Sequence, residues 1–166
     1  MPVLTGSMAP MIRPGDQVLV TFAREEDIRF GDILLFRRNG EFIVHRVLKK
    51  WRRPHGVYFL EQGDRRHAFG IVSASRAIGR VALVNRGYKI CDLTSPLSRI
   101  TSVALTAWLY LASVTVQLFK HSRNRIMKRA RRVISRSLLL LSNLLIRACF
   151  VVWYPSGFFI GRGQKG

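Results

Sequence analysis

Beyond residue 96 the chain carries twelve Lys and Arg and no carboxylate, whereas residues 1–96 hold sixteen basic residues and all nine Asp and Glu. A water-facing domain needs charges of both signs on its surface, so seventy acid-free residues do not make one. The boundary falls near Thr94-Ser95-Pro96. Just past it, Ile100 to Phe119 runs for twenty residues without a charge, reading ITSVALTAWLYLASVTVQLF between Arg99 and Lys120. As a helix this run extends about 30 Å, the thickness of a bilayer core. Nothing adjoining it in sequence is suited to wrapping it in protein, so residues 97–119 read as a transmembrane helix rather than a core helix.

Residues 120–136, KHSRNRIMKRARRVISR, place eight Lys and Arg in seventeen positions. That is the flank assigned to the cytoplasm by the positive-inside rule, which leaves residues 1–99 on the outer side. The same charge suits phosphate, but its position between two apolar stretches points to anionic lipid head groups, and nucleic acid is not expected as a partner. Residues 137–166 are apolar but interrupted by Asn143, Arg147 and Pro155, a tail that either lies in the interface or forms a second membrane segment. No secretory signal opens the chain, because Arg13 and Asp16 break its apolar residues. Outward placement of residues 1–99 therefore calls for insertion machinery or an upstream helix.

With 48% hydrophobic residues the 19.0 kDa chain is not a disordered basic tail. Cys91 and Cys149 stand alone, so neither a zinc site nor a disulfide framework is expected, and no metal or cofactor motif is present. Within residues 1–96 the pattern is β. Val18-Leu19-Val20, Asp32 to Phe36, Phe42 to Leu48, Val57 to Leu60 and Ala77 to Val84 are short apolar runs separated by turn residues. Asn39-Gly40 predicts a two-residue hairpin, and Pro14-Gly15-Asp16 and Pro54-His55-Gly56 predict further turns. Five to seven such strands imply a small barrel or sandwich.

Three places carry chemistry. Ser7 lies in Thr5-Gly6-Ser7-Met8-Ala9-Pro10, where Gly and Pro can hold a tight turn with the hydroxyl presented outward; a plain turn serine is the competing reading. His45 lies inside the apolar strand Phe42 to Val47, so Ile43, His45 and Val47 share one face while Val44, Arg46 and Leu48 share the other. An imidazole there is either a satisfied core histidine or the base that a serine hydroxyl needs. Asp64, in Gln62-Gly63-Asp64, offers a carboxylate that could orient the imidazole, or is an ordinary turn residue.

Taken together, these elements resemble the type I signal peptidase superfamily, in its endoplasmic-reticulum and sporulation branch. Gly6-Ser7-Met8-x-Pro10 with Arg13-Pro14-Gly15-Asp16 is similar to the nucleophile box. Gly31-Asp32-Ile33-Leu34-Leu35-Phe36 is similar to the second strand signature, and His45-Arg46-Val47 to the box in which this branch uses His where leader peptidases and LexA-type repressors use Lys. Gly63-Asp64 and Gly79-Arg80-Val81 resemble the closing boxes. The resemblance implies a mainly β, signal-peptidase-like catalytic domain over residues 1–96, followed by the membrane helix and the basic, partly apolar helical tail. It implies a membrane-bound serine endopeptidase that removes signal peptides from exported precursors without a cofactor, with substrates bound extended beside a strand. Ser7 would be the nucleophile, His45 the general base, and backbone N–H of the Ser7 turn the oxyanion donor; Met8 would help line the small-residue pockets. The expected location is the bacterial cytoplasmic membrane, with the catalytic domain on the extracytoplasmic side.

Two departures from the family pattern matter. The branch carries its catalytic aspartate a few residues after the Gly-Asp pair, but here Arg65-Arg66-His67-Ala68-Phe69-Gly70 follows and the next carboxylate is Asp92. His67 reads as a solvated loop residue. Asp64 is then the third catalytic residue, or Ser7 and His45 act as a dyad, or the chain is an inactive membrane-bound interaction module; a LexA-type self-cleaving regulator is a further alternative. The second departure is that the confident helix is C-terminal to the nucleophile rather than before it.

Overall fold

The structure is a computed structural model in which residues 2–65, 68–87, 89–118, 133–138, 140–142, 144–145 and 147 are described. His67, Cys149 and most of the basic segment and tail lie outside them. Seven strands form one antiparallel sheet: β1 (Gln17–Thr21), β2 (Ile33–Arg38), β3 (Glu41–Arg53), β4 (Gly56–Gln62), β5 (Gly70–Ser73), β6 (Ala77–Asn85) and β7 (Ile90–Asp92). The five apolar runs of the sequence all become strands. The short β5 and β7, rich in Gly, Ser and Asp, carried no such signal.

Asn39-Gly40 makes the expected hairpin. Both residues take positive φ, 51° and 84°, as a two-residue turn matching the strand twist requires, and Arg38 pairs with Glu41 across it. A second hairpin, turning at Pro54-His55, sets Arg53 against Gly56. The sheet path is β1-β6-β2-β3-β4-β5, with β7 also on β6. Long β6 is therefore the spine: it pairs with β1 through residues 80–85, with β2 through residues 77–80 and with β7 through residues 83–85. The expected predominance of β structure is present. The barrel or sandwich form goes no further than this single sheet, since no pairing joins β1 to β5 among the described residues.

Strand β3 sends its two faces into two separate cores, following the alternation read from its sequence. Val44 joins Met8, Met11, Ile12, Ile33 and Leu35 in one cluster, while Val47, with Ile43 packed alongside, joins Leu34, Phe36 and Phe59 in the other. Cys91, buried in the first cluster, has its thiol pKa pushed up to about 12 by burial and by neighbouring Asp92 against the opposing pull of Arg86, so it is not a thiolate near neutral pH.

The long helix α1 (Pro96–Leu118) begins at a Ser-Pro pair: Ser95 Oγ accepts from Ser98 N–H at 3.3 Å, and Pro96 occupies the first helical position. By length and composition it is long and apolar enough to cross a membrane. It differs from the expected free-standing span in one respect: Leu105, Leu109 and Ala112 are buried, the two leucines in the same core as Met8 and Met11. The β domain itself covers this face, which residues three and four apart form on a helix. Leu97, Ile100, Val103 and Leu111 occupy exposed positions on α1. Beside it, Trp108 Nε1 donates to Ser142 Oγ at 3.0 Å, where residues 140–142 are again helical.

Candidate active site

The segment before β1 is folded into a closed loop by its own motif residues. Val3 N–H donates to Asp16 O and Gly15 N–H to Val3 O, at 2.9 and 2.8 Å. The buried Asp16 carboxylate accepts from Arg13 N–H at 2.8 Å and from the Arg86 guanidinium at 2.6 and 2.9 Å. Arg86 also donates to Met11 O at 2.9 Å. These bonds hold the two ends of the loop together. Ser7 sits in its turn, ahead of a cis Ala9–Pro10 bond.

The position of Ser7 relative to His45 is defined by Gly63. A Cβ added there would lie 3.1 Å from His45 Nε2, 3.2 Å from Ser7 Cβ and 2.8 Å from Ser7 O. The imidazole nitrogen and the hydroxyl-bearing carbon thus close on the same point, and only a residue without a side chain leaves it vacant. Arg65 N–H donates to Ser7 O at 3.0 Å, tying the Ser7 turn to the segment just after β4. Gly63→Ala is therefore expected to lower kcat by about 100-fold through a displacement of Ser7 or His45 by a fraction of an ångström to an ångström; steady-state kinetics on the purified variant measure it. A kcat within twofold of the parent would show that Gly63 does not set this spacing.

The carboxylate at His45 is Glu61. His45 Nδ1 and Glu61 Oε2 form a short hydrogen bond, and the other oxygen, Oε1, accepts from Arg38 Nη2 at 2.7 Å. Phe36 meets the imidazole edge-on, with ring centroids 6.1 Å apart. Burial alone would raise the Glu61 pKa, but His45 and Arg38 together outweigh it and hold the carboxyl below its ordinary range. Gly70 on β5 makes room for this carboxylate, since a Cβ there would overlap it.

Asp64 is placed elsewhere. Its two oxygens accept from Arg46 Nε and Nη2, both at 2.8 Å, in a fork-to-fork pair with both side chains at 0% exposure. The residue on which the sequence reading placed the third role therefore holds Arg46, while Glu61, two positions before Gly63, holds the imidazole. A signal for Glu61 was present in the sequence. Val57, Phe59 and Glu61 alternate along β4 and all three are buried, so a carboxylate stands where the apolar face of a strand continues, and an acid is rarely left there without a partner.

Next to Ser7 opens a cleft of about 440 Å³, lined by Val3, Leu4, Thr5, Met8, Phe42 and Val44 among others. Met8 is among the residues lining the cleft, with nearly all of its side chain buried in the core. Among the described residues no group of His, Cys, Asp and Glu is arranged to hold a metal ion.

A serine and an imidazole both close to one glycine, with a buried carboxylate behind the imidazole, on an antiparallel sheet, are residue types that serine hydrolases use. Residues 3–60 match the family described as Peptidase S24-like. The signal peptidase complex catalytic subunit SEC11C of Homo sapiens, and that of Mus musculus, are 43% identical to the chain over 65 residues, which is 37% of this chain and 34% of each relative. The human putative signal peptidase complex catalytic subunit SEC11B is 40% identical over 65 residues, 37% of this chain and 39% of that protein. The chain thus spans little more than a third of the length of the curated relatives it matches. Over these residues the chain is similar to the type I signal peptidase and S24 superfamily, and the matches support that relationship. The relatives it matches are signal peptidase complex catalytic subunits, which supports the branch that the boxes of the sequence resemble. These relatives are mammalian and give the bacterial cytoplasmic membrane no support.

Proposed function

We propose that the chain is a membrane-associated serine endopeptidase that cleaves signal peptides from precursor proteins, with Ser7 as nucleophile, His45 as general base and Glu61 as the acid that orients it. The observation that carries this reading is the convergence of Ser7 Cβ and His45 Nε2 beside Gly63, while His45 Nδ1 is engaged by buried Glu61. With Nδ1–H donated to a carboxylate, Nε2 is left as the unprotonated nitrogen, the tautomer a base needs. Ser7 Oγ attacks the scissile carbonyl carbon as its proton passes to Nε2, and Glu61 stabilises the imidazolium that results. The proton then goes to the leaving amine, and water activated by the same nitrogen releases the acyl group from Ser7.

The cleft between residues 2–8 and the start of β3 suits an extended peptide, with Met8 and Val44 bounding a pocket for small side chains. Exposed Leu97, Ile100, Val103 and Leu111, with the basic residues 120–136, would hold the domain at an anionic membrane where signal segments emerge. The test is cleavage of a signal-peptide-bearing precursor by membranes containing the parent, Ser7→Ala or His45→Ala. Both substitutions are expected to reduce the rate by about 10⁴-fold or more. Cleavage that survives Ser7→Ala rejects the proposal.

A further inference from the structure

Glu61, Gln62, Gly63 and Asp64 are buried in succession, and three of the four are polar. Such a run is tolerated only where each polar group meets a partner. Glu61 meets His45 and Arg38. The other two are held, directly or at one remove, by α1. Gln62 Oε1 accepts from Ser113 Oγ at 3.0 Å between two buried side chains. Asp64 is gripped by Arg46, whose Nη1 donates onward to Ser102 Oγ at 2.7 Å; Ser102 Oγ in turn donates to Gly31 O at 2.8 Å.

Ser102 and Ser113 are eleven residues apart, about three helical turns, which puts both hydroxyls on the side of α1 that Leu105 and Leu109 seat in the core. A hydroxyl in an apolar helix ordinarily turns back to the carbonyl four residues earlier. Thr101, Thr106 and Thr115 do so, bonding Leu97 O, Ser102 O and Leu111 O. Ser102 and Ser113 reach across to the β domain, at the two residues that flank Gly63 or support its flank.

We infer that α1 is a positioning element of the catalytic centre, with Ser113 its principal contact. It fixes Gln62 directly and Asp64 through Arg46, and so fixes the backbone of Gly63, on which the approach of Ser7 to His45 depends. Glu61, immediately before Gln62, is aimed at the imidazole by the same restraint. This rests on the reading of Ser7 and His45 as nucleophile and base. The helix is thereby more than a tether: the β domain alone would hold all the reacting groups without the part that sets their spacing.

The test compares Ser113→Ala, Gln62→Met and the double variant with Ser7→Ala, each as the full chain in membranes, on one signal-peptide-bearing precursor. Ser113→Ala is expected to lower kcat about tenfold with KM unchanged, since the substrate cleft lies at residues 2–8 and 40–44. The double variant is expected to be no slower than the slower single one, because both changes break the same bond. A thermal melt of each variant separates this effect from loss of folded protein. Unchanged kcat in Ser113→Ala, or single effects that simply multiply, overturns the inference. Cleavage that persists in Ser7→Ala would instead overturn the assignment of the nucleophile beneath it.

Discussion

Glu61→Gln is expected to lower kcat/KM by about 10³–10⁴-fold while leaving the fold intact, whereas Asp64→Asn is expected to act on stability before it acts on rate. The contrast follows from what each carboxylate touches. A glutamine amide at position 61 can present N–H to His45 Nδ1, and the imidazole then carries its proton on Nε2, the nitrogen that must accept one from Ser7. Arg38, which bonds the other oxygen, favours the amide oxygen turning towards itself and so favours this orientation. Kinetics on the two variants decide the assignment: a rate loss confined to Asp64→Asn would return the third role to Asp64.

The same pair has a pH signature. Glu61 is held below its usual pKa of 4.5, so its interactions with His45 and Arg38 stabilise the fold fully above that value and are lost as pH falls through the lower, folded-state value. Denaturation midpoints measured from pH 6 down to about pH 3 should therefore fall less steeply for Glu61→Gln than for the parent.

The second large effect concerns Arg46 and Asp64. Both side chains are wholly buried, and Arg46 also donates to Ser102 Oγ, Gly31 O and Met11 S. Removing one charge leaves the other in the interior without compensation, at a cost of about 3–5 kcal/mol, a large share of the total stability of a domain this size. Arg46→Met and Asp64→Leu made singly should each show this loss in urea denaturation, and the double variant should recover most of it, because two apolar side chains in place of a buried ion pair leave no charge unpaired. Single variants as stable as the parent would mean that the pair is not closed in solution.

Much of this architecture was legible in the sequence because its signals are local. Asn39-Gly40 specifies a hairpin through the positive φ that its residues tolerate, and the alternation around His45 assigned its faces correctly, since a strand allows only two. The charged residues of the family boxes were visible but their pairings were not. Asp16 meets Arg86, Asp32 meets Arg80 at 3.5 Å, and Arg46 meets Asp64, each pair joining residues far apart in the chain. Sheet order decides such pairs, and sheet order is a property of the whole domain. Glu61 did not stand out because it lies one residue before the end of β4, just ahead of a recognisable Gly-Asp turn, which drew attention to the next acid along. The covered face of α1 was hidden for a related reason: an apolar run shows that a helix will leave water, but not whether lipid or protein receives it.

The central place of β6 has a consequence for when this protein becomes competent during its synthesis. The loop that carries Ser7 is clasped by Arg86 in addition to its own backbone bonds, and β1, which follows it, bridges Pro2 at Gln17 but finds its strand partner in β6, so most of β1 waits for residues 80–85. Contacts that span most of a domain form late, since loop closure must precede them. His45 and Glu61, by contrast, sit on neighbouring strands of a hairpin that needs nothing beyond residue 62. The His45–Glu61 pair can assemble while the chain is still growing, but the loop that carries Ser7 gains its Arg86 clasp only once residue 86 has been added.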